Sequence, residues 1–425
     1  MKKVLFALVI SLLFILSDNN LFAAAQININ ETDPVEQYNI GLRYYSGDGV
    51  RQNYIAAGEW FRKSANQGYA PAQYELAGLY ASGAGNFKQS DKEAFPLYKK
   101  AAEQDHAKAQ YYLAEFYQNA RATQKDEQKA LELYEKSATN GFCDAQRTMG
   151  DFYYTGTIVK KDYEKAYKWY MKAKEQGDPK ASFCLANMYK DGKFVKKDMT
   201  KALELYKEAA DKDYTPAECE LGSYYFDNNN HKAAMNWYEK AANKGNSQAE
   251  YYLGLIYFYG YMGYQNYKYA LEYFRRAYVG GNEDAAYMLG HIYYNGEGVD
   301  TNYKEALEYY KEVAEETNLS EAQYMVGLMY LNGEGTKKDV EQAKIWFKKA
   351  ADQGHEVAIE RLKKLSGEDL SQRAGINIVK SSQTAVVVSS TTKVGDNVKS
   401  STSTISADKN KSSAKNEKSG SAGKK

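Results

Sequence analysis

The stretch VGLMYLNGEGTKKDVEQAKIWFKKAADQG, from Val326 to Gly354, decides the fold because its main features recur nine times along the 425-residue chain. Each copy is marked by an alanine that is followed, three and four residues later, by two bulky side chains, here Ala343 with Trp346 and Phe347. The nine marker alanines lie 32 to 37 residues apart, and they are Ala57, Ala94, Ala130, Ala166, Ala202, Ala234, Ala270, Ala306 and Ala343. A fixed period of this length predicts a tandem repeat, in which each unit buries its apolar face against its neighbours.

Each copy contains the signals for two helices. An apolar residue followed by glycine or alanine, as in Val326-Gly327, recurs before a glycine-rich loop. Together with an alanine four residues earlier in eight copies, it forms a stripe of small residues that indicates a close approach of two helix backbones. Four residues before each marker alanine lies a good N-cap residue, which predicts the start of the second helix. These caps are Asn53, Ser90, Asp126, Asp162, Asp198, Asn230, Asn266, Asn302 and Asp339.

This pattern resembles the Sel-one-like repeat, an α/α relative of the tetratricopeptide repeat, over about residues 35–365. The resemblance implies an all-α, right-handed superhelical solenoid of nine two-helix repeats, with first helices lining a concave surface. Residues 358–365 match a further first helix with a charged face, which is typical of a capping element. Proteins of this family commonly bring other proteins together. The resemblance therefore implies a non-enzymatic scaffold without a cofactor, whose partner is a protein or peptide.

Residues 1–25 have the pattern of a secretory signal peptide. Lys2 and Lys3 precede an apolar run from Val4 to Leu16, and three alanines at 23–25 supply the small residues of a cleavage site. A membrane anchor is disfavoured because a bilayer-spanning helix needs about 20 apolar residues. We expect export without a transmembrane segment after cleavage, to a bacterial periplasm or the medium. The lumen of the endoplasmic reticulum is the alternative.

The charge of the chain is balanced along most of its length and basic at its end. Lys and Arg number 56 against 55 Asp and Glu, so composition gives no indication of a nucleic-acid partner. Residues 366–425 are rich in Ser, Thr and Lys and are predicted to form a disordered tail. The apolar run from Thr384 to Val388 has the β-propensity to add to a partner as a strand or to dock into the groove, and the basic end could contact anionic lipid, cell-wall polymer or nucleic acid. A solvated tether is the default interpretation.

The chain has three cysteines, Cys143, Cys184 and Cys219. Cys184 and Cys219 fall at nearly the same phase of successive repeats, so a disulfide between them is geometrically possible. The favoured interpretation is that all three are small buried residues at helix-packing positions. No two have metal-ligand spacing, and no metal site is predicted.

Positions of the first helix that vary between repeats predict where a partner binds. We take offsets −2, +1 and +4 from the second residue of each Val326-Gly327-like pair, because these share a helical face. In repeats seven to nine they form an apolar and aromatic set of the kind that marks partner sites. The set is Tyr252, Leu255, Phe258, Met288, His291, Tyr294, Met325, Leu328 and Leu331. The alternative is that tighter curvature or the tail buries these residues.

Two other functions fit parts of the sequence. Tyrosine side chains along a groove suit stacking on sugars, which indicates glycan or peptidoglycan binding as an alternative. Some secreted relatives with cysteine-rich repeats bind or hydrolyse β-lactams, which is the second alternative. Against it, this chain has three cysteines and no Ser-x-x-Lys element in a suitable context.

Overall fold

The computed structural model describes residues 28–366, and the regular structure within them is helical. Nine pairs of helices follow one another and are closed by a final helix, Glu356–Ser366. The first helices of repeats one to nine are Pro34–Ser46, Ala70–Ser82, Ala107–Gln118, Cys143–Thr155, Pro179–Asp191, Thr215–Asp227, Ser247–Tyr259, Glu283–Asn295 and Ser320–Asn332. The second helices are Tyr54–Asn66, Asp91–Ala102, Glu127–Thr139, Tyr163–Glu175, Met199–Ala210, His231–Asn243, Tyr267–Val279, Tyr303–Glu316 and Val340–Asp352. A short 3-10 turn, Ala84–Asn86, follows the first helix of repeat two.

Both ends of the helices follow from local sequence. All nine predicted N-caps of the second helices are confirmed, and each side chain accepts a hydrogen bond from a backbone amide in the first turn. Asp162, for example, accepts from the amide of Lys165 at 3.0 Å. At the other end, the first helix of repeat nine stops at Gly333, whose φ of 80° is left-handed and costs little only for glycine. These caps fix the helix lengths and so the period.

Small residues and aromatic rings together build the core of each repeat. The nine marker alanines are all fully buried. A Cβ added to Gly150 would lie 2.5 Å from the Tyr170 ring, and one added to Gly254 would lie 2.6 Å from the Phe274 ring. The small residue therefore makes room for the ring of the same repeat's second helix. At Gly327 an added Cβ would also lie 3.3 Å from the backbone oxygen of Ala343 on the second helix, so the expected close approach of two helix backbones is found there as well.

A buried polar pair ties the first helix of several repeats to the end of the second. Gln67 donates to Gln37 at 2.9 Å in repeat one, and Gln353 donates to Gln323 at 2.9 Å in repeat nine. In repeat six the same positions hold an ion pair, with Lys244 Nζ at 2.9 Å from Glu218 Oε1. Buried polar groups must find such partners, so these pairs fix how the two helices are aligned.

The contacts divide the chain between Ala217 and Glu218 into two compact units. The predicted signal peptide, residues 1–25, and the predicted tail beyond Ser366 lie outside the described residues. Within residues 28–366, no helix combines the length and the apolar character needed to cross a membrane. The predicted boundaries of the signal peptide, the repeat region and the tail are not tested by the structure and stay predictions.

All three cysteines are free thiols, so the disulfide that the repeat phase permits between Cys184 and Cys219 is not formed. Burial raises the pKa of Cys143 to about 11 and the pKa values of Cys184 and Cys219 to about 12. At neutral pH they are protonated and poorly nucleophilic, as packing residues are.

Candidate functional site

The nine predicted site residues divide into a buried and a partly exposed group. Leu255, Phe258 and Met288 are buried in the hydrophobic core of the second unit, with 5%, 5% and 2% of their surface exposed. They add nothing to an exposed surface. The other six are partly exposed, and they are Tyr252, His291, Tyr294, Met325, Leu328 and Leu331. The surface available to a partner is therefore narrower than the sequence predicts.

The variation at offset +1 has a structural cause inside each repeat. In repeats four to six the second-helix ring is a tyrosine, and a polar first-helix residue at offset +1 receives the hydrogen bond from its hydroxyl. The Tyr170 hydroxyl donates to Asp151 at 2.7 Å, and the Tyr238 hydroxyl donates to Ser223 at 3.2 Å. Tyr206 donates to Asn187 in the same way. The hydrogen bond from the tyrosine hydroxyl explains why a polar residue occurs at each of these positions. No external ligand is needed to explain it.

Repeats with phenylalanine at the ring position carry leucine at offset +1. Phe274 and Leu255 lie in one hydrophobic cluster, and Leu328 packs against the cluster that contains Phe347. Repeat one follows the same rule, since Leu42 packs against the cluster of Phe61. The apolar character of repeats seven and nine at this offset therefore reflects packing against a ring that has no hydroxyl to satisfy.

Repeat eight departs from the pattern of repeats four to six and allows a test. Its ring residue Tyr310 is fully buried, yet its hydroxyl has no hydrogen-bond partner among the described residues. We expect Tyr310→Phe to raise the free energy of unfolding by about 1 kcal/mol, because it removes a buried unpaired hydroxyl. Tyr170→Phe should instead lower it by about 1–2 kcal/mol, because Asp151 loses its donor. Urea unfolding of both variants measures the two changes, and changes of equal sign would contradict this explanation.

The unpaired group that sequence reasoning missed is Asp284, on the first helix of repeat eight. Its side chain is partly buried, and no hydrogen bond or ion pair to it occurs within residues 28–366. Burial, with a smaller contribution from Glu283, raises its pKa to about 6. Tyr251 lies close enough that the charge of Asp284 raises its pKa, second only to burial. The Tyr251 hydroxyl is itself buried and unpaired.

Asp284 shares a helical face with the six partly exposed residues and with two others. We call this surface the first-helix face of repeats seven to nine. Its members all lie within one arc of their helices, as spacings of three and four residues require. They are Tyr252, Asp284, Tyr287, His291, Tyr294, Glu321, Met325, Leu328 and Leu331.

The electrostatic character of these helices is one-sided. The first helices of repeats six to nine contain seven acidic residues and neither lysine nor arginine. Two of the acids are neutralised from outside these helices, Glu218 by Lys244 and Glu250 by Arg276 at 2.6 Å. Repeats four and five differ, because their first helices carry Arg147, Lys180 and Lys190. The first-helix face is thus aromatic, apolar and acidic.

The raised pKa of Asp284 makes stability depend on pH in a defined direction. A folded-state pKa of about 6, above the ordinary 3.8, means that folding favours the protonated acid. The destabilisation is absent below about pH 4, grows as pH rises from about 4 to about 6, and stays constant above that. We therefore expect Asp284→Asn to raise the free energy of unfolding on the order of 1–2 kcal/mol near pH 7.5, and not near pH 4. Urea titrations at both pH values, with exposed Asp300→Asn as control, check this, and an equal gain at both would contradict it.

His291 is held by its own repeat. Its Nδ1 lies 3.2 Å from Glu297 Oε2, and Asn295 lies within hydrogen-bond distance of both ring nitrogens. Its ring also meets Phe258 at a centroid distance of 5.7 Å. Among residues 28–366, no group of three or more His, Cys, Asp and Glu side chains is placed to hold a metal ion.

A surface pocket of the second helix in repeat six is lined by Tyr225, Asn236, Trp237 and Asn243. Amides beside an indole suit sugars, but the ammonium of Lys240 lies 4.1 Å from the Trp237 ring centre. Trp60, Trp169 and Trp346 are each covered in the same way by a lysine three residues later. A lysine therefore already covers one face of each of these tryptophans.

The Sel1 repeat model matches nine consecutive segments of this chain. They are residues 37–69, 70–106, 107–142, 143–178, 179–214, 215–246, 247–282, 283–318 and 320–355. These matches confirm the nine repeats predicted from the period. A search of curated proteins finds no match.

Several solved structures are similar to this chain. One is a protective antigen of uropathogenic Escherichia coli strains that displays an SLR fold. It has 29% identity, a TM-score of 0.61, and coverage of 81% of this chain and 82% of the antigen. A Sel1 repeat protein from Oxalobacter formigenes has 28% identity and a TM-score of 0.49, with 54% of this chain and 97% of that chain covered. Helicobacter pylori cysteine rich protein B has 26% identity and a TM-score of 0.25, with 29% and 93% covered.

Proposed function

Because this chain belongs to the Sel1 repeat family, whose members generally act as protein-interaction scaffolds, we propose that it binds a segment of a partner protein on the first-helix face of repeats seven to nine. The function requires no chemistry at the site. We propose further that the protein works after export, in a periplasm or the medium, on the strength of the leader pattern in residues 1–25.

The observation that carries the proposal is the unpaired Asp284. Taking a carboxylate out of water without a donor is costly, and folded proteins normally pair such groups. Asp284 and the Tyr251 hydroxyl both lack a partner in the described part of the chain. A donor from a bound partner, such as a lysine ammonium or an arginine guanidinium, would satisfy the partly exposed carboxylate of Asp284.

The surroundings of Asp284 suit a peptide segment. Tyr252 and Tyr287 supply rigid aromatic surface, with Tyr252 stacked on Tyr238 at a centroid distance of 4.9 Å. Tyr294 is held by the hydrogen bond from its hydroxyl to Glu334 at 3.0 Å. Rigid tyrosines lose little conformational entropy when a ligand binds, which favours recognition. Met325 adds an adaptable apolar contact on the neighbouring helix.

The test is capture of partners by cross-linking in cells. A variant carrying Asp284→Ala and Tyr287→Ala removes two partly exposed groups of the face. Its matched control carries Glu315→Ala and Tyr269→Ala, which remove an acid and a tyrosine exposed on second helices. We expect the natural chain and the control to capture the same partner, and the face variant to lose about tenfold or more.

Two results count against this function. Equal capture by the face variant, with helix content intact by circular dichroism, moves the partner to another surface. No protein captured by any of the three chains overturns the scaffold proposal and makes glycan binding the next candidate. Phe258 is left unchanged because its burial would confound loss of binding with loss of stability.

A further inference from the structure

The first-helix face lacks a counter-charge that another part of the chain possesses. Its helices carry acids and no lysine or arginine, and Asp284 has no partner within residues 28–366. Residues 376–425, in contrast, contain nine lysines and three acidic residues. Opposite charge is thus separated between the face and the end of the same chain. Such complementarity steers association and selects partners.

The tail begins next to the face. Leu365, the penultimate residue of the final helix, packs against the same buried cluster as Leu328 and Leu331 of the face. At the other end of that helix, the preceding residue His355 stacks on Tyr324 of the first helix of repeat nine at a centroid distance of 4.8 Å. The chain therefore leaves the described residues at the edge of the proposed binding surface.

The length of the tail is sufficient to cross the face. Lys380 follows Leu365 by 15 residues, and a chain of 15 residues with random-coil dimensions spans roughly 20 Å on average. Neighbouring helices lie about 8–10 Å apart, so such a segment reaches the first helices of repeats nine and eight. Later lysines, beginning with Lys393 and Lys399, reach further. A tether of this kind produces an effective concentration in the millimolar range, so each contact can be weak.

The chemistry of the tail matches both kinds of group on the face. Its lysines supply the ammonium that Asp284 and Glu321 lack on their own helices. Its apolar run from Thr384 to Val388 lies between Lys380 and Lys393, and Met325 and Leu328 offer partly exposed apolar surface. In the tail, lysines flank an apolar run, and on the first-helix face acidic residues lie beside apolar ones. The two patterns therefore match.

We propose that the lysine-rich tail, residues 376–425, occupies the first-helix face and competes there with the partner protein. This inference rests on the function proposed for that face. The tail acts as a tethered, low-affinity occupant, which a partner must displace. A partner segment that succeeds has to present a cationic group to Asp284 and bind more tightly than the tail does at its effective concentration.

Zero-length carbodiimide cross-linking of the full chain tests the contact, because it joins a lysine to a carboxylate only when the two touch. Products are separated by size, and the joined residues in the monomer are mapped by mass spectrometry. We expect tail lysines joined to Asp284, Glu321 or Glu334 at low salt. The yield should fall about tenfold or more near 1 M salt, where the screening length is about 3 Å. Glu308 and Glu315, exposed on a second helix, serve as matched acids.

A tail variant with all nine lysines changed to glutamine completes the test in the full chain. Its capture of the partner should increase several-fold, because the competitor is weakened. Cross-links that fall equally on Glu308 and Glu315, or that ignore salt, overturn the inference. If the cross-links overturn the inference while the natural chain still captures a partner through the face, the scaffold function is supported and the tail contact is not. If the tail cross-links to the face but neither the natural chain nor the tail variant captures a partner, the contact between tail and face is supported and the scaffold function is refuted.

Discussion

Replacing Phe274 with alanine is expected to lower the free energy of unfolding of the second unit by about 3–5 kcal/mol. Phe274 is fully buried and packs edge-on against Phe258, with the ring centres 6.3 Å apart. Its ring fills the space that Gly254 leaves open. Truncation leaves a cavity that the surrounding helices cannot close, because both are fixed by their caps at Asn246 and Asn266.

Urea unfolding followed by circular dichroism measures this loss. The matched control is Tyr269→Ala on the same second helix, because the Tyr269 ring is half exposed and its removal should change stability by about 0.5 kcal/mol or less. A loss below about 1.5 kcal/mol for Phe274→Ala would show that the ring and glycine pair is not the centre of the repeat core.

The second large effect is expected when the glycine of such a pair is filled. Gly150→Val should cost about 3 kcal/mol, the upper end of the range for overpacking a core. A Cβ at position 150 falls 2.5 Å from the Tyr170 ring, which cannot shift easily because its hydroxyl is bound to Asp151. We expect the overlap to be relieved only if the two helices of repeat four move apart.

Gly78→Ala is the control for this glycine effect. Gly78 also lies inside a first helix, but the nearest atom to an added Cβ is the Tyr98 hydroxyl at 3.8 Å. Alanine there should stabilise the protein by about 0.5–1 kcal/mol, since glycine is the poorer helix former. The two variants should move the urea midpoint in opposite directions. A stable Gly150→Val protein would contradict the ring-filling role of the small position.

Sequence reasoning succeeds where the determinant is local. The second-helix caps, such as Asp162 and Asp339, act within one turn of their own helix, so a single side chain decides the boundary. The final helix, Glu356–Ser366, is likewise predicted from its own residues, because its apolar stripe starts at Ala358. The period itself identifies the family, since nine copies repeat the same local signals.

The candidate site is predicted less well because burial depends on neighbouring repeats. Offsets place Leu255, Phe258 and Met288 on the same helical face as the partly exposed residues, but packing against adjacent helices removes all three from the surface. Asp284 lies outside the offsets used and gives no local motif. The lack of lysine and arginine in the first helices of repeats six to nine is visible in the sequence and points to it. Only the structure shows that its carboxylate is unpaired.

Photo-cross-linking from position 287 tests the central claim most directly. A photoreactive phenylalanine analogue replaces Tyr287 on the first-helix face, and a second chain carries it at Glu315, exposed on a second helix. Both are expressed in full and irradiated in cells. The scaffold function predicts a discrete partner adduct from position 287 that is absent from position 315 and is suppressed by Asp284→Ala. No adduct from position 287, or the same adducts from both positions, would contradict binding at the first-helix face.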